Sequence, residues 1–283
     1  MNVKEQVVTE DYSIYCADNM EILPQLPSQS IDLSVYSPPF AGLYNYSSDP
    51  KDFSNCDSRE QFLEQYEYMV AEIARVTKDG RISAVHCTDM LEKDGTIWNF
   101  PHEITKIHNR HGFELKNRIT ISKEPLKVRM RTMVKSLMHK MIVEDSTECM
   151  TAMPDYMLIF KKKGENKVPV THPMGLKRYA GEEFVNHRLL KELREIEGGE
   201  ITALCKYGSY ESMRAKFQFE TDPNNELSYY IWRRYADSIW YDIAIDNVLP
   251  YKDTKDEDDE KHVHPLQLDV YDRIIELYSN PNE

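Results

Sequence analysis

Ser37-Pro38-Pro39-Phe40 is the stretch of this chain whose residue types could do chemistry, because it follows directly on Ile31-Asp32-Leu33-Ser34-Val35-Tyr36, an apolar run that reads as a buried strand. Two consecutive prolines fix φ at about −65° twice and remove two backbone donors, so the carbonyls of Ser37 and Pro38 are held outward without a local amide to satisfy them. A flat exocyclic amino group suits that arrangement. It can give one hydrogen to a side-chain oxygen and one to a main-chain carbonyl while an aromatic ring stacks on the attached base. Ser37, Pro38 and Phe40 supply the three parts, and Pro39 stiffens the turn between them. The plainer reading is a proline pair at a strand end beside a core phenylalanine. Position favours the chemical reading, since α/β sheets bind ligands outside the carboxyl ends of their strands.

The tetrapeptide resembles the D/N/S-P-P-Y/F/W signature of the DNA amino-methyltransferases, which methylate adenine or cytosine at the exocyclic nitrogen. Two further segments carry the resemblance. Ile14-Tyr15-Cys16-Ala17-Asp18-Asn19-Met20-Glu21-Ile22-Leu23, with Leu26 to Leu33, is similar to the strand, acidic turn and short helix that lead into the signature. His262-Val263-His264-Pro265-Leu266-Gln267, followed by Val270 to Tyr278 and Ser279-Asn280-Pro281, is similar to the motif that touches S-adenosylmethionine. The resemblance implies Asp18 near the adenine of that cofactor, and His262, Pro265 and Gln267 as further cofactor contacts.

Catalytic half first and cofactor half last is the order of the circularly permuted beta class. The implied fold is therefore a Rossmann-like α/β methyltransferase sheet, circularly permuted, with an inserted target-recognition region. Residues 1–165 would form the catalytic half, 166–235 the insertion and 236–283 the start of the cofactor half. In that class a strand and an F-x-G-x-G loop follow Ser-Asn-Pro, and no G-x-G occurs in these 283 residues. The expectation is a version cut before its central cofactor strands, completed by a second chain or a further C-terminal segment. The implied reaction is direct transfer from S-adenosylmethionine to N4 of cytosine or N6 of adenine in a flipped base, without a covalent intermediate or a metal. Ser37 in the first signature position leans toward cytosine. The competing readings are a catalytically silent DNA-binding remnant without the cofactor loop, and methylation of RNA or a protein amide by the same geometry.

The elements that must position the turn are legible around it. Ser58-Arg59-Glu60-Gln61 forms a capping box, with Ser58 capping and Gln61 reaching back. Phe62, Tyr66, Met69, Ile73 and Val76 then recur at helical spacing, and Lys78-Asp79-Gly80 is expected to end the helix with Gly80 left-handed. Ile82-Ser83-Ala84-Val85-His86-Cys87 follows as a strand, so strand, turn, helix and strand make a right-handed parallel crossover. His86, at the end of that strand, reads either as a group near the site or as a satisfied core histidine. Phe113 to Ile121 and Tyr156 to Phe160 would be an antiparallel edge pair, and residues 182–196 a helix within the insertion. Tyr44 and Tyr46 read as loop padding. His262 and His264 stand at i, i+2 without a third ligand nearby, and no metal site is expected.

The chain is acidic, with a formal charge of −13, yet Lys106 to Lys140 holds ten Lys/Arg against Glu114 and Glu124. Such a local stripe suits a phosphate-tracking surface, and double-stranded DNA is the expected partner, contacted by Lys127, Arg129, Arg131 and Lys135. A solvated helix-and-strand face is the alternative. The methionine-rich stretch Val128 to Met141 reads as a helix or loop facing DNA, or as a packing helix. Five widely spaced cysteines form no C-x-x-C, and no Pro-Cys dipeptide offers the thiolate that carbon-5 methylation of cytosine needs. No run approaches a membrane span and the N-terminus lacks signal-peptide character, so a cytoplasmic protein is expected.

Overall fold

The computed structural model describes residues 3, 5–39, 51–92, 94–181, 225–244, 246–250 and 266–283. In chain order they form β1 (Glu5–Val8), β2 (Ser13–Cys16), α1 (Asn19–Ile22), β3 (Ile31–Tyr36), α2 (Arg59–Val76), β4 (Thr77–Thr88), β5 (Met90–Leu91), β6 (Ile97–Trp98), α3 (Phe100–Arg110) and β7 (Phe113–Ile121). There follow α4 (Pro125–Thr132), α5 (His139–Glu144), β8 (Asp155–Lys162), α6 (Glu226–Tyr235), β9 (Ile239–Trp240) and α7 (Leu268–Tyr278).

β4 and β8, the strands with the longest buried runs, lie inside a five-stranded sheet ordered β3-β4-β8-β7-β9, where both faces are covered. β3 and β4 are parallel, as the crossover through α2 requires, while β8 runs antiparallel to both β4 and β7. The paired β7 and β8 are as expected, but they are not the rim. β8 sits between β4 and β7, and the short β9 adds outside β7. The alternation of strand residues sorts the core into two layers. Val85, Cys87, Leu158 and Phe160 pack with Phe62, Tyr66 and Val70 of α2 and Ile104 and Ile107 of α3. Ala84, Met157 and Ile159 face the other way, onto Trp240, Val270 and Ile274.

Ser58 caps α2 as expected, its side chain accepting from the Gln61 amide at 3.1 Å, but the Gln61 side chain accepts from the Asp57 amide rather than that of Ser58. α2 ends at Val76, earlier than Lys78-Asp79-Gly80 suggested, because Thr77 already belongs to β4. Gly80 is left-handed, with φ +72°, but it serves the strand: the register of β3 against β4 shifts between Ile31 and Leu33 there. A Cβ at Gly80 would lie 2.4 Å from the Asn166 backbone nitrogen, so the close approach and the positive φ both call for glycine.

The described parts of the expected insertion are anchored to α7 by a buried cation. Arg273 is fully buried, its Nη2 lies 2.9 Å from Asp242 Oδ2, and its Nε donates to the Ala180 carbonyl at 2.5 Å. The rings of Trp240, Tyr235 and Tyr179 surround the guanidinium at 4.8, 5.1 and 5.5 Å. The stretch 182–196, expected to be helical, lies outside the described residues.

Candidate active site

The carboxyl ends of β3 and β4, the start of β8 and the end of β7 all meet at one edge of the sheet, where Tyr36 pairs with Val85 and Ile121 with Asp155. Ser37 leaves this edge exposed, Pro38 is buried beneath it and Pro39 is half-buried. No hydrogen bond from the described residues reaches the Ser37 hydroxyl. The turn is thus a strand end with a free acceptor above a packed proline. Phe40, Tyr44 and Tyr46 lie outside the described residues.

A polar support that the sequence did not reveal holds the last residue of β3 from below. His108 Nδ1 donates to the Ile104 carbonyl at 2.8 Å, which leaves Nε2 as an acceptor for the Tyr36 hydroxyl at 3.1 Å. Tyr36 in turn accepts from Tyr66, at 3.2 Å. His108 also stacks on Phe160, with ring centroids 4.0 Å apart. Burial drives this histidine toward its neutral form and lowers its pKa to about 4, although the Ile104 hydrogen bond opposes the shift. Burial likewise raises the hydroxyls of Tyr36 and Tyr66, so the network stays uncharged. Three residues from β3, α2 and α3 therefore fix the strand end directly before Ser37.

This network has a measurable consequence. The unfolded imidazole takes up its proton near pH 6.5 and the folded one only near 4, so the unfolded state binds more protons in that window. Stability is expected to be full above pH ~6.5 and to fall by about 1.4 kcal/mol per pH unit as the pH drops toward 4. Denaturant midpoints at stepped pH check this, and His108→Gln is expected to remove that contribution. A slope unchanged by the substitution would contradict it.

On the other face of the same edge, Asp155 accepts from Lys123 Nζ at 2.6 Å and stands 3.5 Å from His86 Nε2. Burial opposes ionisation of Asp155, but the Lys123 ammonium and the His86 ring outweigh it and hold the carboxyl well below the usual range. The His86 ring lies 6.2 Å from that of Tyr271 on α7.

The expected cofactor residues are divided between the faces. Asp18 is the N-cap of α1, accepting from the Met20 amide at 2.8 Å, with its second oxygen 3.8 Å from Lys51. α1 packs on the α2 side, through Met20. Gln267 stands at the N-cap of α7 on the opposite face, and its Oε1 is buried without a hydrogen-bond partner among the described residues. His262 and Pro265 lie outside the described residues. The basic stretch is two short helices joined by a 3₁₀ turn, Lys135–Leu137, and it occupies the connection between β7 and β8, at the same edge as Ser37. Lys127 and Lys135 are exposed and Arg129 is half-buried; Arg131 is on α4 as well. Within Val128 to Met141, Met130 and Met133 are exposed while Val128, Val134, Leu137 and Met138 are half-buried.

Two cavities, of about 430 and 320 Å³, lie away from Ser37. The larger opens at the far edge of the sheet beside Gly80 and Tyr278, the smaller between Leu176 and α6. Among the described residues no helix is long and apolar enough to cross a membrane.

Residues 31–283 match the family model described as DNA methylase, of N6 and N4 type. No curated protein matches the chain. Among solved structures, the chain is similar to TTHA0409 of Thermus thermophilus, described as a candidate DNA modification methylase, in its complex with S-adenosyl-L-methionine. Identity is 16%, the TM-score 0.47, and the match covers 93% of this chain and 74% of that one. It is also similar to the cytosine-N4-specific PvuII DNA methyltransferase, at 17% identity and a TM-score of 0.41, over 57% of this chain and 54% of that one.

Proposed function

This chain belongs to the DNA methylase family, and on that premise we propose that it transfers a methyl group from S-adenosylmethionine to the exocyclic amine of cytosine, or of adenine, in a base rotated out of duplex DNA. The observation that carries the reading is the exposed Ser37 hydroxyl, unbonded among the described residues, on a buried proline at the end of β3. An exocyclic amine is a weak nucleophile because its lone pair is delocalised into the ring. Accepting its two hydrogens at Ser37 Oγ and at the Pro38 carbonyl favours a pyramidal nitrogen with the lone pair free. The Tyr36, Tyr66 and His108 network keeps those acceptors from moving, which is where the sheet contributes to rate. Serine at this position favours cytosine N4.

One observation supports a fit to the implied cofactor: Gln267 Oε1 is a buried acceptor without a hydrogen-bond partner among the described residues. Gln267, with Asp18, His262 and Pro265, would hold S-adenosylmethionine, which supplies an electrophilic methyl when bound. Calorimetric titration with S-adenosylmethionine tests the proposal. Saturable binding supports it, whereas duplex binding without any saturable cofactor heat favours the silent remnant.

Lys127, Arg129, Arg131 and Lys135 would follow the phosphates. Alanine at Lys127, Arg129 or Lys135 is expected to weaken duplex binding uniformly across sequences and to lower the slope of log affinity against log salt by about 1 each. A triple variant with the wild-type salt slope would contradict a phosphate contact.

A further inference from the structure

His86 stands outside the Ser37 turn and the network beneath it, buried at the end of β4. Its buried Nε2 faces Asp155 Oδ2 at 3.5 Å, too long for a close hydrogen bond, and has no closer partner among the described residues. Besides the ion-paired Arg273 guanidinium, α7 and its N-cap hold two buried polar atoms without hydrogen-bond partners among the described residues, Gln267 Oε1 and Tyr271 Oη, one turn apart. Orphaned polar atoms on both sides of a strand end mark a place where chemistry, rather than packing, sets the residue types. The register places His86 beside Ser37. Tyr36 pairs with Val85, so the next residues on the two parallel strands are neighbours. Leu33 and Val35 pack on the α7 side of the sheet with Ala84, and strand alternation brings Ser37 and His86 to that same face.

We propose that His86 is a catalytic base of this site, taking the proton that the target amine releases, with Asp155 holding the ring and stabilising the imidazolium that forms. The inference rests on the function proposed above. Methylation forms a nitrogen–carbon bond as the sulfonium sulfur–carbon bond breaks; the sulfonium becomes a neutral thioether and the nitrogen carries the positive charge. The nitrogen–hydrogen bond that points at Ser37 breaks in the same transition state; the Ser37 hydroxyl accepts that proton and gives its own to His86 Nδ1, which takes the positive charge off the nitrogen. With Nε2–H directed at a carboxylate, Nδ1 carries the free lone pair, the same division of roles that a carboxylate–histidine pair serves elsewhere. Lys123 keeps Asp155 ionised from its other side. Among the described residues, the charged and titratable groups facing the ring are Asp155 from β8, with Lys123 after β7 behind it, and Tyr271 from α7.

The test compares wild type and His86→Gln in the full chain. Single-turnover transfer of labelled methyl from S-adenosylmethionine into unmethylated DNA is followed across pH, beside separate titrations of cofactor and duplex. Expected for the variant are a rate lowered about 100-fold, both affinities within about twofold of wild type, and loss of the rise in rate with pH. Nitrogen-15 spectra of the histidine rings, assigned by difference against the variant, are expected to place the neutral His86 proton on Nε2. A variant as fast as wild type, or one slowed equally at every pH, overturns the role of His86 alone, as does a proton found on Nδ1. A wild-type chain that binds both ligands yet transfers nothing overturns the proposed function and this role with it.

Discussion

Pro39→Ala is expected to lower single-turnover methyl transfer by about 100-fold or more while leaving the protein folded, and Phe40→Trp to retain part of the activity. The first substitution keeps the polar atoms of the turn but frees φ at residue 39 and restores a backbone N–H. If the Pro38 carbonyl and the Ser37 hydroxyl act as paired acceptors, their separation and angle are what the second proline fixes, and a displacement of about 1 Å is enough for a loss on that scale. Pro39 is half-buried at the end of a strand held by Tyr36, so the cost to stability should stay within about 1 kcal/mol, mostly through greater freedom of the unfolded chain. The second substitution keeps a flat ring for a base to stack on. Rates and denaturant midpoints for the same samples separate the two effects. A Pro39→Ala protein with unaltered transfer would remove the geometric basis of the mechanism.

Asp242→Ala is expected to destabilise the protein by about 3–5 kcal/mol, because it strands the fully buried Arg273 guanidinium without its counter-charge. Burial alone disfavours the charge on Arg273, and Asp242 outweighs that penalty. The loss should propagate to the site. α7 carries Arg273, Tyr271 and the orphaned Gln267 on one helix, so loosening its clasp on Ala180 and Asp242 frees the groups opposite β3. Replacing both members, as Asp242→Leu with Arg273→Met, should recover much of the lost stability, since the buried charge disappears with its partner. Urea unfolding of the two variants checks both statements. A single substitution costing under about 1 kcal/mol would show that water reaches the guanidinium.

Local signals in the sequence are legible where one element decides its own structure. The β3, α2 and β4 unit follows from an apolar run, a Ser58 cap and helical spacing of the apolar residues, all within one short stretch of chain. The acidic turn at Asp18, which caps α1, and the pairing of β7 with β8 are equally legible in outline. Contacts across long separations are not. Tyr36 and His108 are joined by a hydrogen bond across 72 residues, and nothing at either position names the other. Arg273 and Asp242 look like ordinary surface residues in the sequence, because a buried ion pair has no local pattern. Gly80 misleads for a physical reason: a left-handed glycine serves a helix end and a strand irregularity equally well, and only the pairing of Thr77 with Ile31 decides between them.

The nucleosides produced by the full-length protein test the amine geometry most directly. Unmethylated DNA is incubated with S-adenosylmethionine and the wild-type protein or Ser37→Ala, digested, and resolved by mass spectrometry. Wild type should yield N4-methylcytosine, or N6-methyladenine if adenine is the target, with Ser37→Ala giving about 1% as much or less at early times. Methyl found at carbon 5 of cytosine, or equal yields from the two proteins, would contradict capture of an exocyclic amine by the Ser37-Pro38-Pro39 turn.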